Sequence, residues 1–167
     1  MASPGSGSNA QPPEVGAATH FNRGLTLMQE GRKDEAIREM EAAAALAPDS
    51  FGVEHVLGDL YLQRGDTGKA AEVLRRSVER HPESADAHYY YALALAWQRK
   101  TDAAATQFDQ TIRLDPGMKR AYISVYNILA GAGQKERGLR YLERWSAAHP
   151  EDQELKKGLD SERRKLK

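Results

Sequence analysis

Five histidines and 24 acidic residues are the side chains of this sequence that could perform acid–base chemistry or bind a metal ion. Three of the histidines, His20, His55 and His88, fall in helical stretches, and three imidazoles brought together would suit zinc. The chain has no cysteine, which excludes disulfides, thiolate nucleophiles and cysteine-based zinc sites. It also lacks the short motifs of phosphate-binding loops, zinc proteases and serine hydrolases. The sequence therefore predicts a protein that is not an enzyme and that carries no cofactor.

The aromatic side chains are concentrated in one part of the chain. Nine of the twelve lie between Tyr89 and Trp145. Tyr89, Leu93 and Trp97 are four residues apart and form one stripe along a helix, with Tyr90 beside it. Tyrosine and tryptophan are frequent anchors of interfaces because they bury a large area at a low cost in conformational entropy. The stripe is a candidate binding surface; alternatively, it covers an inner wall or packs on a tail or a sister chain.

The charge balance argues against a general nucleic-acid partner. The 24 basic residues equal the 24 acidic ones, whereas such proteins need an excess of positive charge to neutralise phosphates. The charge is unevenly placed, with −5 over residues 1–118 and +5 over residues 119–167. No apolar run approaches the roughly 20 residues that span a bilayer, and residues 1–16 lack the apolar segment of a signal peptide. We therefore expect a cytoplasmic protein that does not insert into membranes.

Several residue types recur at an interval of 34 residues. The recurring prolines are Pro48, Pro82, Pro116 and Pro150. The recurring glycines are Gly31, Gly65 and Gly133, with Arg99 in the remaining position. In each interval, about fourteen residues with helical periodicity precede the glycine position, and glycine there ends the first helix. A second stretch with helical periodicity precedes the proline, which cannot continue a helix. Ser84 is a candidate N-cap for the helix that follows Pro82. A fixed period of this length is typical of stacked repeats, so the interval predicts four helix–turn–helix units.

The four units resemble the tetratricopeptide repeat, whose pattern is Trp-x₂-Leu-Gly-x₂-Tyr, then Ala-x₃-Phe, then Pro. The second unit matches best, at Leu57, Gly58, Tyr61, Ala70, Leu74 and Pro82. The third matches at Tyr91, Ala92, Leu95, Ala104, Phe108 and Pro116, and the first at Gly24, Leu27, Ala36, Met40 and Pro48. The fourth departs from the pattern, because Tyr126 and Trp145 stand where small residues are expected.

This resemblance implies an all-α fold, a right-handed superhelix of helix–turn–helix repeats. The implied divisions are a disordered tail at 1–16, repeats at 17–50, 51–84, 85–118 and 119–152, and a capping helix at 153–167. The last segment has Leu155, Leu159 and Leu166 on roughly one helical face and charged residues elsewhere, as an exposed solenoid end requires. A basic interaction tail is the alternative for that segment.

The resemblance also bears on the histidines. His20 and His88 take the position that the family gives to tryptophan, and His55 lies one position further round its helix. The three rings would then point in different directions, which argues against a metal site. His81 and His149 precede two of the recurring prolines, so we expect them at turns or helix C-termini.

In the resembled family, the first helices of the repeats line a concave groove that holds peptides. Carried over by position, the lining of this chain would be Phe21, Leu25, Met28, His55, Asp59, Leu62, Gln63, Tyr89, Tyr90, Leu93, Trp97, Arg120, Ile123, Ser124 and Asn127. Asn127 could bond a peptide backbone through both its donor and its acceptor. Members that clamp chaperone tails use a lysine and an asparagine in the first repeat, where this chain has Phe21 and Leu25. The resemblance therefore implies a groove for an apolar or aromatic peptide.

Three functions remain open from the sequence. The first is a protein-interaction module that binds a segment of another protein in this groove and has no small-molecule substrate. The second is a self-associating scaffold or a subunit of a larger assembly, which the irregular fourth unit with Tyr126 and Trp145 suggests. The third is the docking of an acidic partner or RNA on the basic end around Arg137, Arg140 and Arg144.

Overall fold

The polypeptide forms a row of helix hairpins. The computed structural model describes residues 13–165, and this range contains no β-strand. Its helices are α1 (Pro13–Gln29), α2 (Lys33–Leu46), α3 (Phe51–Arg64), α4 (Thr67–Arg80), α5 (Ala85–Trp97), α6 (Thr101–Leu114), α7 (Lys119–Gly131), α8 (Lys135–Ala148) and α9 (Gln153–Arg164). Consecutive helices pack on each other along the whole row, and α3 also contacts α5. The predicted all-α superhelix is confirmed.

The recurring prolines set the boundaries between repeats. In every repeat the second helix ends two residues before the proline, and the next helix begins three residues after it. Proline has no amide hydrogen and clashes with the preceding turn, so it stops each helix at the same place. At the start of α5, the Ser84 hydroxyl accepts a hydrogen bond from the Ala87 backbone N–H at 3.2 Å, which confirms the predicted N-cap.

The turn inside each repeat needs a residue with a left-handed backbone. Gly31, Gly65 and Gly133 have φ values of 75°, 89° and 78°. The third repeat has Arg99 at this position, with a φ of 61°. For a residue with a Cβ atom this conformation costs about 1–2 kcal/mol. The third turn is therefore strained, whereas the other three are not.

Small residues on the first helices let the second helices approach closely. A Cβ atom added at Gly24 would lie 2.8 Å from Met40 Cε, and one added at Gly58 would lie 2.6 Å from Leu74 Cγ. Ala92, at the same position of the third repeat, is fully buried. These contacts confirm the packing role that the repeat pattern predicted.

The fourth repeat differs from the others on both helices of this packed pair. Tyr126 takes the first-helix position that holds a small residue elsewhere, and Gly138 replaces the alanine of the second helix. A Cβ atom at Gly138 would lie 3.1 Å from both Cδ2 and the carbonyl oxygen of Tyr126. The glycine on one helix thus makes room for the tyrosine on the other, which explains how this repeat departs from the pattern and still packs.

The two ends differ in part from the expected divisions. Helix α1 begins at Pro13, so residues 13–16 are helical rather than part of a disordered tail. Proline is tolerated in the first turn of a helix, where its missing N–H is not needed. Residues 1–12 of the predicted tail, and Leu166 of the predicted cap, lie outside the described residues. Helix α9 packs on α8 and buries the other two leucines of its predicted face.

The buried side chains form two clusters that meet in α5. The N-terminal cluster comes from α1 to α4 together with Ala94, and the C-terminal cluster comes from α5 to α9. Tyr91 and Leu93 pack against both clusters. No helix within residues 13–165 is long and apolar enough to cross a membrane.

Candidate functional site

The first helices of successive repeats lie side by side, and we call their common exposed surface the first-helix face. His55 of α3 stacks on Tyr90 of α5, with ring centroids 5.0 Å apart. The hydroxyl groups of Tyr89 on α5 and Ser124 on α7 lie 3.2 Å apart. The structure therefore brings the predicted groove residues of the second, third and fourth repeats onto one surface.

A row of aromatic rings crosses this face from α3 to α5. Phe51 stacks on His55 at 5.3 Å, His55 stacks on Tyr90 at 5.0 Å, and Tyr90 forms a T-shaped pair with Tyr89 at 5.5 Å. Aromatic pairs in these geometries attract each other beyond the area that they bury. Each ring is partly covered by the next, so these contacts restrict the motion of the side chains in the row.

Tyr89 is fixed on several sides. Its ring forms a T-shaped pair with Phe108 at 5.8 Å, and the Arg120 guanidinium lies 4.6 Å from its ring centroid, a cation–π distance. Arg120 is in turn ion-paired with Asp86. This predicted groove residue therefore has extensive intramolecular contacts, and only part of its ring faces solvent.

Trp97 is far more accessible. Its exposed fraction is 63%, compared with 49%, 41% and 36% for Val15, Leu46 and Ile123, the other exposed large apolar residues of the described range. A surface depression of about 260 Å³ lies beside it. The lining of that depression consists of Leu93, Ala96, Trp97, Arg99 and Ile128. Two predicted groove residues, Leu93 and Trp97, therefore open onto the same hollow between α5 and α7.

A second depression of about 390 Å³ lies on the other side of α7. Ile123 and Asn127 line it from α7, and Leu155 and Leu159 line it from α9. Asn127 is exposed, and the lining combines these apolar side chains with polar and charged ones, which besides Asn127 are Lys119, Glu154, Ser161 and Glu162. The sequence predicted the α7 residues of this site but missed the contribution of α9, although the leucine spacing of α9 indicated an apolar face.

The N-terminal part of the predicted groove is less open. Phe21, Leu25 and Met28 are largely covered by packing against the N-terminal cluster, and only 7% of Leu62 is exposed. The Gln63 side chain donates a hydrogen bond to the Asp59 carboxylate at 2.7 Å, so these two polar groups are engaged with each other. Open apolar surface on the first-helix face is therefore concentrated between α5 and α9.

Comparison with known families gives this architecture a name. Profiles of the tetratricopeptide repeat match residues 17–50 and 55–121, which together cover more than half of the chain. The chain belongs to the tetratricopeptide repeat (TPR) family. No curated protein matches the sequence.

Solved TPR structures share the fold at low sequence identity. The crystal structure of MamA has a TM-score of 0.72 and 23% identity, over 83% of this chain and 81% of that one. YrrB, described as a TPR protein with an unusual peptide-binding site, has a TM-score of 0.69 and 22% identity over 83% and 71%. The first TPR domain of Spaghetti (RPAP3), bound to the HSP90 peptide SRMEEVD, has a TM-score of 0.67 and 16% identity over 76% and 99%. At these identities the likeness establishes the fold alone.

The tryptophan position of the TPR pattern is polar in the first three repeats of this chain. It holds His20, Glu54 and His88. Each of these side chains contacts the second helix of its own repeat: His20 Nδ1 lies 2.7 Å from Glu39, Glu54 pairs with Arg80, and His88 Nδ1 lies 2.7 Å from Gln107. Both histidine contacts span nineteen residues, and this common spacing can be recognised in the sequence.

The three histidines that suggested a metal site have other partners in the structure. The second ring nitrogen of His88 lies 3.0 Å from the Pro82 carbonyl oxygen, so both of its nitrogens have partners. His55 is stacked in the aromatic row. Within residues 13–165, no group of three or more histidine or acidic side chains is arranged to hold a metal ion.

The unusual aromatic residues of the fourth repeat are engaged in contacts within the chain. Trp145 is 6% exposed, stacks on His149 at 3.8 Å and donates its indole N–H to Asp152 at 2.9 Å. The Tyr126 hydroxyl donates to Glu162 of α9 at 3.1 Å. The two aromatics that suggested self-association are therefore used to attach the C-terminal cap.

Ion pairs strengthen that attachment. The Lys119 ammonium and the Trp145 indole hold the pKa of Asp152 down to about 2. The Lys135 and Lys165 ammonium groups, with Tyr126, likewise hold the pKa of Glu162 down to about 2. Both carboxylates therefore stay ionised well into the acid range. Helix α9 forms a wall of the 390 Å³ depression.

Proposed function

We propose that this TPR protein is an interaction module that binds an apolar or aromatic peptide segment of a partner protein on its first-helix face. The observation that carries the proposal is the position of Trp97. Its side chain is 63% exposed and borders a hollow on the face that α3, α5, α7 and α9 share. An indole left in water costs free energy that burial against a partner would recover, and tryptophan is enriched among the residues that dominate binding energy.

The fold neighbours support a peptide as the ligand. YrrB is described as having a peptide-binding site, and the RPAP3 domain was solved with an HSP90 peptide. The acidic SRMEEVD peptide itself suits this chain poorly. Phe21 and Leu25 stand where a carboxylate clamp would need a lysine and an asparagine, and a carboxylate beside them would lose its hydration without gaining a charged partner.

The two depressions on either side of α7 suggest how the segment lies. We infer that one apolar side chain enters the hollow beside Trp97 and Leu93, and that another enters the hollow between Ile123 and Leu159. Asn127, in the lining of the second hollow, would bond the peptide backbone, because its amide offers a donor and an acceptor that match a peptide group. The aromatic row of α3 and α5 would support the remainder of the segment.

A selection from a random library of displayed twelve-residue peptides tests the proposal, because it assumes nothing about the identity of the partner. We expect the enriched peptides to share two apolar or aromatic positions. Trp97→Ala and Asn127→Ala should each weaken their binding, the former by at least about tenfold, as removal of a central aromatic anchor does. Affinities are measured by titration calorimetry.

Leu46→Ala is the matched control, because Leu46 is also an exposed apolar residue, at 41%, but lies on a second helix. It should leave the affinity within about twofold of the wild type, a difference well below one tenfold step. A direct readout is available as well, since bound peptide should shield the exposed Trp97 from acrylamide quenching, while Trp145 is buried from the start. Peptides that bind Trp97→Ala and Asn127→Ala as tightly as the wild type would refute the proposed groove.

A further inference from the structure

Three arginines of α8 line a cavity on the side of the molecule formed by the second helices. Arg137, Arg140, Tyr141 and Arg144 have the spacing i, i+3, i+4 and i+7, so they lie on one stripe of α8. With Asp109 of α6 they enclose a volume of about 430 Å³ that is open to solvent. The lining has three cations and one carboxylate. We call it the arginine stripe.

The three guanidinium groups differ in whether they have an acidic partner. Arg137 is ion-paired with Asp102 of α6. Arg140 and Arg144 make no ion pair with any carboxylate in the part of the chain that the structure describes. They are four residues apart on a helix, where like charges repel each other. An anionic ligand would relieve that repulsion, whereas the folded chain alone does not.

The remaining polar groups of the stripe are already engaged. The Tyr141 hydroxyl donates to Asp109 at 3.0 Å, which ties α8 to α6. Burial raises the pKa of Tyr141 to about 12, so this hydroxyl remains a neutral donor at physiological pH. Tyr141 and Asp109 are therefore held in place by each other, and the groups left for recognition are the guanidinium groups of Arg140 and Arg144.

The spacing of these two groups fits an acidic peptide. Four residues of an α-helix rise by about 6 Å. Side chains two residues apart on an extended chain point to the same side and are about 6.6 Å apart. A guanidinium group binds a carboxylate through two parallel hydrogen bonds. Carboxylates at alternate positions of an extended segment would therefore face the two arginines in register.

We propose that the arginine stripe is a second docking site, which binds an extended segment of a partner protein with acidic residues at alternate positions. Nucleic acid fits the stripe less well. Its affinity depends on the number of phosphates that are neutralised, and among the described residues of the stripe only Arg140 and Arg144 are unpaired cations, beside the Asp109 carboxylate. The site does not depend on the first-helix face, which lies on the other side of the hairpins.

Fluorescence anisotropy with the full chain tests this site. The probe is a fluorescein-labelled Gly-Glu-Gly-Glu-Gly-Glu-Gly peptide, and the comparison is Gly-Glu-Glu-Gly-Gly-Glu-Gly, which has the same charge but no two glutamates at alternate positions. We expect the alternating peptide to bind more tightly in low salt. Arg140→Gln with Arg144→Gln should weaken it by about tenfold or more, because two charge-assisted contacts are lost. Trp97→Ala should leave it unchanged.

Arg75→Gln with Arg76→Gln is the matched control. It removes the same charge from α4, where each arginine already has a glutamate partner one turn away. Equal losses in the two double variants would show a general charge effect and overturn the proposal. Equal binding of the two peptides would also overturn the proposal. If labelled oligouridine binds more tightly than the alternating peptide, and the α8 double variant abolishes that binding, the stripe is a nucleic-acid contact instead. Circular dichroism verifies that both variants remain folded.

Discussion

Replacement of Gly58 by alanine tests the packing of the first helices most directly. In isolation the change should favour the helix, because alanine has a higher helix propensity than glycine by about 0.8–1.0 kcal/mol. In this chain the new methyl group would lie 2.6, 2.7 and 2.8 Å from Cγ, Cδ1 and Cδ2 of Leu74. Leu74 is fully buried and branched, so it has no space into which to move. The packing penalty should therefore exceed the gain in propensity.

The same substitution in the first repeat supplies the comparison. A methyl group at Gly24 would meet Met40, first at its terminal Cε, 2.8 Å away. Methionine is unbranched and adapts its shape. Overpacking costs about 1–3 kcal/mol; we assign the upper end to Gly58 and the lower end to Gly24. After subtraction of about 1 kcal/mol for propensity, Gly58→Ala should lose about 2 kcal/mol and Gly24→Ala should be nearly neutral.

Urea denaturation followed by circular dichroism measures both changes. For a chain of this size, 1 kcal/mol corresponds to roughly 2–4 °C in the midpoint of thermal unfolding, so a parallel heat denaturation should separate the variants by several degrees. Adding Leu74→Met to Gly58→Ala copies the first repeat and should recover about half of the loss, since such swaps conserve volume. Equal stability of Gly24→Ala and Gly58→Ala, or no rescue by Leu74→Met, would refute the reasoning.

Two further predictions concern the strained turn and the cap. Arg99→Gly should raise the stability by about 0.5–1 kcal/mol, because it removes the cost of about 1–2 kcal/mol of a left-handed backbone at a smaller entropic cost. Lys100→Gly, where φ is −85°, should lower the stability. Thermal denaturation that ranks the two variants the other way would contradict this account. The pKa values of Asp152 and Glu162 lie near 2, below their ordinary 3.8 and 4.5. The two carboxylates therefore stabilise the folded protein fully at pH values above their ordinary pKa, and this stabilisation is lost as the pH falls through the folded pKa values. Acidification from about pH 4.5 to pH 2 should expose Trp145 to acrylamide, and Asp152→Asn should make that exposure depend less on pH; an acid profile that this variant leaves unchanged would exclude the ion pair as its cause.

The fold could be predicted from the sequence because each recurring residue acts locally. Pro82 ends a helix wherever it stands, and Gly65 supplies a left-handed turn without reference to the remainder of the chain. The fourth repeat could not be predicted in the same way. Tyr126 conflicts with the pattern when it is considered alone, and its compatibility depends on the missing side chain of Gly138, a residue on another helix.

The candidate site was predictable to a lesser degree for the same reason. Helical spacing placed Tyr89, Leu93 and Trp97 on one stripe, but spacing does not reveal how far each residue is covered by its neighbours. Tyr89 is fixed by Arg120 and Ser124 from α7, whereas Trp97 at the end of α5 extends beyond such partners. Exposure depends on contacts between repeats, which a position within one repeat does not specify.

The division of the core at α5 has a consequence for how the molecule opens. In a linear array, each repeat gains stability only from its neighbours, so the two clusters are coupled through the contacts that α5 makes with both. Tyr91 and Leu93 are among the residues that pack on both clusters, and Leu93 also lines the hollow beside Trp97. A ligand in that hollow would add contacts at the junction itself. Amide hydrogen exchange would then show slower opening of α5 in the bound protein, and the two clusters would be more strongly coupled than in the free chain.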